Sequence, residues 1–367
     1  MNAASPTSYR EPENVSGPAA PAQPVLEIRD LSVSFAVATG DVRAVQHVDL
    51  TLAAGEVVGL AGESGSGKSS LALGACRLLR PPALITGGSV VYRGRRVGPG
   101  GVEILDQSPT QLRKLRWREI AIVFQSAMNA LNPVLRISDQ LGDAIDAHLD
   151  LSREQRRARL IELLDIVGIP RGRLTSYPHE LSGGMRQRVM IAMALAVDPE
   201  VVIMDEPTTA LDTVVQREIL AEIAELQRRL HFSVLFITHD LSLLLEVADR
   251  IAILYAGRLI ELGTAEEIHH QTAHPYTRGL LESFPSVHGP RRLLAGIPGS
   301  PPDLRSIPPG CPFEPRCRFA RPDCRSVDMR LLPVPGGRPQ HVSACPVVLS
   351  GNPETSALAA VDSEGSK

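Results

Sequence analysis

Three short stretches carry residue types that together could handle a phosphate anion. The first, Gly62-Glu63-Ser64-Gly65-Ser66-Gly67-Lys68-Ser69 with Ser70 behind it, fits the pattern G-x-x-x-x-G-K-S at every fixed position. Its glycines let consecutive backbone N–H groups turn inward on an anion, and a helix starting near Lys68 adds the positive end of its dipole. Lys68 would reach the β and γ phosphates of a nucleotide, and the Ser69 hydroxyl would ligate Mg²⁺. The second stretch, Asp205-Glu206, closes an apolar run that begins at Val201. Asp205 at the end of a buried strand can hold Mg²⁺ through water, while Glu206 can orient and polarise an attacking water. The third is His239, just past the apolar run 234–238, at the edge where α/β sheets hold their ligands. The bland readings are a glycine-rich turn, a solvated acidic pair and an inert histidine. All three features, however, fall where buried strands end.

A further segment has a related chemistry. Leu181-Ser182-Gly183-Gly184-Met185 precedes an expected helix over 186–197, so Ser182 and the amides of Gly183 and Gly184 make a second anion-accepting helix start. One nucleotide needs only one cradle. Two cradles of different chemistry suggest two nucleotides shared between two facing subunits.

These residues need a scaffold, and the periodicity supplies one. Residues 26–35 and 42–52 alternate apolar and polar around the Thr39-Gly40-Asp41 turn and predict two antiparallel strands. Phe35, at the end of the first, could stack on adenine or share a buried face with Leu31 and Val33, and the period alone favours the buried face. Further strands are predicted at 56–61, 88–92 and 120–124, the last running into Gln125. Helices over 137–149 and 152–167 follow as a helical insertion, the second opened by a capping box from Ser152 to Gln155.

Composition bounds the class. The chain has 367 residues, 43% of them hydrophobic, enough for one large domain and a smaller one. A net charge of -3 and only 4% aromatics argue against a nucleic-acid partner. No apolar run is long enough to span a bilayer. Residues 1–24, rich in Ala, Pro, Ser and Asn, lack the apolar core of a signal peptide and read as a disordered leader of a protein that stays in the cytosol.

Taken together, the phosphate loop, Gln125, the Leu181–Met185 signature, Asp205-Glu206, Ala210-Leu211-Asp212 and His239 resemble, in order and spacing, the nucleotide-binding subunit of an ATP-binding-cassette (ABC) transporter over about residues 26–268. The resemblance implies an α/β fold of the ABC-type P-loop ATPases, with a mixed core sheet, an antiparallel β subdomain and a helical signature subdomain. It implies ATP and Mg²⁺ as ligands, Ser69, Gln125 and Asp205 around the metal, Glu206 as catalytic base, and His239 holding the γ-phosphate and water in line. Gln125 would couple the site to membrane subunits, Ala210-Leu211-Asp212 would form the D-loop, and Phe35 is favoured as the adenine-stacking ring. Two such subunits would bind head to tail, each ATP lying between one phosphate loop and the other subunit's signature.

The C-terminal part narrows the resemblance. A capping box at Thr264 and Glu267 opens a short helix, and His274-Pro275-Tyr276 leads towards a Pro/Gly-rich stretch, 296–310. Cys311, Cys317, Cys324 and Cys345 then cluster, while Cys76 reads as a small core residue. Disulfides do not suit a cytosolic ATP-user. Zinc lacks the usual short pair spacing, and four thiolates could instead hold an iron–sulfur cluster, so spacing alone leaves zinc and cluster open. Pro298-Gly299-Ser300-Pro301-Pro302, Cys311-Pro312-Phe313, Arg316-Cys317, Cys324 and Ala344-Cys345-Pro346 are similar to the C-terminal extension of the oligopeptide/dipeptide and nickel importer ATPases, which implies a [4Fe-4S] cluster on the four cysteines. The expected divisions are a leader (1–24), an ATPase domain (25–268), a four-cysteine extension (269–349) and a disordered tail (350–367). The expected partners are a homologous ATPase subunit, preferably a different chain, two transmembrane permeases and an extracytoplasmic solute-binding protein, with no nucleic acid. The subunit would sit at the cytoplasmic face of the cell membrane and drive peptide uptake. Nickel or sugar import is the alternative within this class, and a soluble ABC ATPase of translation or DNA repair the alternative outside it.

Overall fold

The computed structural model describes residues 24–98, 100–124, 130–208, 212–283 and 296–350. Gln125, Ala210 and Leu211 lie outside the described residues, as do nearly all of the expected leader and the tail beyond Ser350.

The chain opens with a long hairpin, β1 (Pro24–Val37) and β2 (Gly40–Ala53), which pairs from Pro24↔Ala53 to Val37↔Gly40. The strict alternation expected of β1 breaks at a bulge beside Asp30, whose φ of 50° lies in the left-handed region. The bulge resets the register, so Leu26 and Ile28 before it and Leu31 and Val33 after it all face the core. Phe35 is only half-buried, packed against the rim of that cluster.

Next come β3 (Val57–Ala61) and α1 (Lys68–Ala75), separated by the glycine-rich stretch. Strands β4 (Ala83–Tyr92) and β5 (Val102–Glu103) join the hairpin in an antiparallel sheet of order β2-β1-β4-β5. Helix α2 (Pro109–Leu115) leads into β6 (Ile120–Val123).

The core sheet has, from edge to edge, β11 (Leu332–Pro333), β12 (Val342–Ser343), β10 (Arg258–Thr264), β9 (Arg250–Tyr255), β3, β8 (Ser233–Ile237), β7 (Val201–Asp205) and β6. From β3 through β8 and β7 to the edge strand β6 the pairing is all parallel. β3, β7 and β8 are buried at every residue, because a parallel sheet carries helices on both faces. Their carboxyl ends therefore open on one edge.

A helical unit built from α3 (Ile137–Asp146), α4 (Arg153–Ile166) and α5 (Gly183–Ala194) sits between β6 and β7 in sequence. The Ser152–Gln155 capping box is present, with each side chain bonded to the other residue's N–H at 3.2 and 2.9 Å. α5 starts at Gly183, earlier than the expected Arg186. Ser182 is its N-cap, accepting from the Met185 N–H at 3.2 Å, so the two glycines belong to the first turn. The cap outweighs their poor helix propensity.

α6 (Thr213–Leu230) is capped by Asp212, whose Oδ1 accepts from the N–H groups of Val214 and Val215. After α7 (Leu241–Val247), β9 runs parallel to β3, and β10 returns antiparallel to β9. The expected capping box at Thr264 and Glu267 opens α8 (Ala265–His270), and α9 (Pro275–Glu282) follows with His274 as its N-cap.

The C-terminal segment is built into this body. β11 (Leu332–Pro333) and β12 (Val342–Ser343) extend the core sheet through Glu261↔Ser343 and Leu262↔Val342, and α10 (Pro346–Leu349) ends the described chain. Beneath that seam His341 and Glu261, both fully buried, lie 3.0 Å apart, and Glu261 also accepts from the Ala273 N–H at 2.6 Å and the Thr272 hydroxyl at 3.1 Å. A buried carboxylate is tolerated only when it is so bonded. No helix among the described residues is long and apolar enough to cross a membrane.

Candidate functional site

The glycine-rich stretch leaves the carboxyl end of β3 as a tight loop. Gly62 has φ +154, and a Cβ there would meet the Leu254 carbonyl oxygen at 2.2 Å. Gly67 has φ +105, and a Cβ there would meet the Ala44 oxygen at 2.1 Å. Neighbouring backbone thus presses on the loop from two sides, so only glycine fits. Gly67 is the N-cap of α1 and supplies no side-chain cap. The first amides of the helix are therefore left for another acceptor, which is what an anion site requires. Ser66 Oγ is buried without a hydrogen-bond partner among the described residues, while Ser64 and Gly65 are exposed.

Lys68 lies inside the loop, 5% exposed, with Nζ donating to the Gly62 and Glu63 carbonyls at 2.8 and 2.9 Å. Burial pulls its pKa down, against the carboxylates of Glu206, Asp205 and Glu63. Ser69 donates its hydroxyl to Asp205 Oδ1 at 3.0 Å, which joins the start of α1 to the end of β7. Asp205 is 5% exposed and its carboxyl is pushed up by burial. The Ser69 hydrogen bond and Lys68 oppose that rise, and the Glu206 charge adds to it. A hydroxyl and a reluctantly ionised carboxylate side by side form the hard-oxygen donor set that suits Mg²⁺.

Glu206 is not the last strand residue expected of it. β7 stops at Asp205, and Glu206 has φ 46, with its N–H donating to the Ile237 oxygen at 2.9 Å. This left-handed turn lifts its carboxylate off the strand. His239 Nδ1 lies 3.4 Å from Glu206 Oε1, and the two side chains are 54% and 13% exposed respectively. The structure thus brings Lys68, Ser69, Asp205, Glu206 and His239 to one edge. Ser182 is exposed, and its hydroxyl caps its own helix.

Glu63 also engages residues from beyond the loop. Its N–H donates to the Tyr276 hydroxyl at 2.8 Å, and its carboxylate accepts from Arg316 at 2.7 and 2.9 Å. Neither Tyr276 nor Arg316 was singled out from the sequence as a site residue. Both sit in quoted motifs, His274-Pro275-Tyr276 and Arg316-Cys317, but nothing local says that they reach the phosphate loop.

All five cysteines are free thiols. Cys76, at the end of α1, is buried among core residues, which pushes its thiol up to about 12. Cys311, Cys324 and Cys345 are buried and Cys317 half-buried. Burial, with the charges of Cys345, Cys317 and Cys324 adding, pushes Cys311 up to about 12. Burial likewise pushes Cys345 up to about 11, with Cys317 and Cys324 adding to it. The four thiols are therefore electrostatic neighbours. Among the described residues, however, no three His, Cys, Asp or Glu side chains are gathered so as to hold a metal ion. A tetrahedral zinc with Zn–S near 2.3 Å would need its sulfurs roughly 3.8 Å apart. Among the described residues the arrangement supports neither zinc nor the expected iron–sulfur cluster.

Fold and site define a P-loop ATPase of the cassette type. The ABC transporter family profile matches residues 45–209, and the profile of the oligopeptide/dipeptide transporter C-terminal region matches 260–324. The oligopeptide transport ATP-binding protein OppD of Salmonella typhimurium is 42% identical over 327 residues, 89% of this chain and 94% of that relative. The dipeptide transport ATP-binding protein DppD of Bacillus subtilis is 44% identical over 296 residues, 80% and 86% of the two chains. Among solved structures, the dimeric bacterial ABC transporter cassette MJ0796 superposes with a TM-score of 0.57 at 28% identity, covering 65% of this chain and 98% of that one. The cassette cbiO1 of Clostridium perfringens gives 0.57 at 25% identity, covering 68% and 91%. The chain belongs to the oligopeptide/dipeptide branch of the ABC transporter ATP-binding subunits.

Proposed function

We propose that this chain is one of a pair of ATP-hydrolysing subunits that drive peptide uptake through separate membrane-spanning partners. The observation that carries the proposal is the convergence of Ser69 with Asp205, and of Glu206 with His239, beside a phosphate loop whose helix amides carry no side-chain cap. Lys68 uses two of its three N–H donors on loop carbonyls and keeps the third for the β and γ phosphates. Ser69 and Asp205, with Gln125, would hold Mg²⁺. That ion, when bound, supplies charge neutralisation to the phosphates. Glu206 accepts a proton from the water that attacks the γ-phosphorus, the bond to the bridging oxygen breaks, and ADP and phosphate leave. His239, whose Nδ1 lies 3.4 Å from Glu206 Oε1, would hold the γ-phosphate and the water in line. Phe35, half-exposed at the end of β1, offers a ring edge for adenine.

Ser182, Gly183 and Gly184, flanked by Leu181 and Met185, would face the nucleotide of a second subunit. The exposure of Ser182 at the start of α5 supports that role. Asp212, at the end of the D-loop, is bound into the cap of α6, so Ala210 and Leu211 would carry the contact across the pair. The second subunit would be a homologous chain, a different one by preference. Two permeases would anchor the pair at the cytoplasmic face of the membrane, and a solute-binding protein would deliver the peptide. The relatives' names support peptide as cargo.

The four cysteines would hold a [4Fe-4S] cluster. What supports the reading is four cysteines whose thiols act on one another's charge, and a C-terminal profile that spans Cys311, Cys317 and Cys324. The experiment that tests the function is ATPase activity of the reconstituted transporter with its solute-binding protein. Peptide-loaded binding protein should stimulate hydrolysis. Stimulation by nickel or a sugar with none by peptides would overturn the reading.

A further inference from the structure

One wall of the phosphate loop comes from the far end of the chain. Glu63, the residue after Gly62, is held at both its ends. Its N–H donates to the Tyr276 hydroxyl on α9, and its carboxylate receives two parallel bonds, Arg316 Nη1 to Oε2 at 2.7 Å and Nη2 to Oε1 at 2.9 Å. Arg316 is itself fixed. Its side chain is 6% exposed, Nε donates to the Pro298 oxygen at 2.7 Å, Nη1 reaches the Tyr255 hydroxyl at 3.2 Å, and Nη2 lies 3.5 Å from the Gly299 oxygen. The guanidinium stands over the rings of Tyr255 and Phe313, and Tyr255, Tyr276 and Phe313 pack against one another with centroids 4.5 to 5.4 Å apart. The loop that carries Arg316 is a short turn, Glu314–Arg316, tied by the Cys311 N–H to the Cys324 oxygen at 2.8 Å.

A glutamate in a phosphate loop works against its purpose. Its carboxylate already acts on Lys68 and would repel an incoming triphosphate. A bidentate guanidinium cancels that charge and fixes its direction, which a lysine could not do equally well. The ring cluster beneath holds the guanidinium with little freedom left to lose. We propose that Arg316, together with Tyr276, is a positioning residue for nucleotide binding: it neutralises Glu63 and holds the phosphate loop in its anion-accepting shape. The C-terminal segment is then a part of the ATP site and not an appendage to it. This inference rests on the ATP-hydrolysing reading above.

The test uses the full chain assembled in its transporter, with KM and kcat for ATP measured beside the melting temperature. Arg316→Ala leaves the Glu63 carboxylate unpaired in the loop, so the KM for ATP should rise on the order of ten- to a hundredfold. Because Arg316 does not touch the reacting atoms, kcat should change by less than about threefold. Adding Glu63→Gln to Arg316→Ala removes the charge that needed a partner and should bring KM back to within about threefold of wild type. Arg316→Lys, which keeps the charge and loses the fork, should fall between. A lower melting temperature with unchanged KM would overturn the proposal, as would a double variant no better than Arg316→Ala alone. Lys68→Ala separates the two levels. If it leaves ATP binding intact, the ATPase reading itself fails. If it abolishes binding while Arg316→Ala is silent, only the positioning role fails.

Discussion

Two glycines of the phosphate loop should respond differently to the same added methyl group. At Gly62 the new Cβ would sit 2.2 Å from the Leu254 oxygen and 2.8 Å from Ser66 Oγ. An ordinary carbon–oxygen contact is about 3.3–3.6 Å, so the loop or β9 must give by roughly 1 Å. The Leu254 oxygen belongs to the backbone of a buried strand and has no flexible end to move aside. The φ of +154 adds strain of about 1–3 kcal/mol for any residue with a side chain. A displacement of roughly 1 Å in a catalytic cradle costs on the order of a hundredfold in rate. Gly62→Ala should therefore lower kcat/KM for ATP about a hundredfold, with a visible loss of stability. Gly65 has φ +77 but nothing within 4 Å of its would-be Cβ. Gly65→Ala should cost only the left-handed penalty of about 1–2 kcal/mol, with kcat/KM falling less than about tenfold. The assay is steady-state ATP hydrolysis at saturating Mg²⁺, normalised to folded protein, beside urea unfolding. Equal losses in the two variants, or Gly62→Ala within about twofold of wild type, would refute the reasoning from backbone pressure.

Other expectations concern the chemistry. Glu206→Gln keeps the shape but not the base, so kcat should fall by about 10²–10⁴ while equilibrium ATP binding persists; a wild-type rate would remove Glu206 from its role. Burial holds the Asp205 carboxyl above its unfolded value. A raised carboxyl favours folding when protonated, so its contribution is present below the ordinary value near 3.9 and is lost as pH rises through the folded value. Asp205→Asn should accordingly raise the melting temperature of the Mg²⁺-free protein at neutral pH and flatten its decline with rising pH, while hydrolysis collapses. A lower melting temperature would contradict the burial cost. Protein purified without oxygen should be brown and lose its visible absorption on Cys317→Ser; a colourless protein carrying stoichiometric zinc would reject the cluster.

Much of the fold was legible because its causes are local. Ser152 with Gln155, and Thr264 with Glu267, are capping boxes complete within one turn, and both form as expected. The unbroken apolar runs of β3, β7 and β8 announce strands covered on both faces. The spacing of Lys68, Asp205, Glu206 and His239 pointed to one sheet edge, since parallel strands place their carboxyl ends together. The errors are local too. The glycine pair obscures the true start of α5, since two poor helix formers there belong to the first turn only because Ser182 caps it.

What the amino-acid order determined by itself is the set of strands, the caps and the phosphate-handling residues, each of which depends on neighbours within a few positions. Only the tertiary structure decided that Glu206 leaves its strand in a left-handed turn, that Leu254 and Ala44 press glycine upon the loop, and that β12 completes the sheet beside β10. The same holds for the grip of Arg316 and Tyr276 on Glu63. Those contacts join residues far apart in the chain, and no periodicity or propensity encodes a distance between segments. They exist because the packed core brings α9 and the turn at Arg316 up against the phosphate loop.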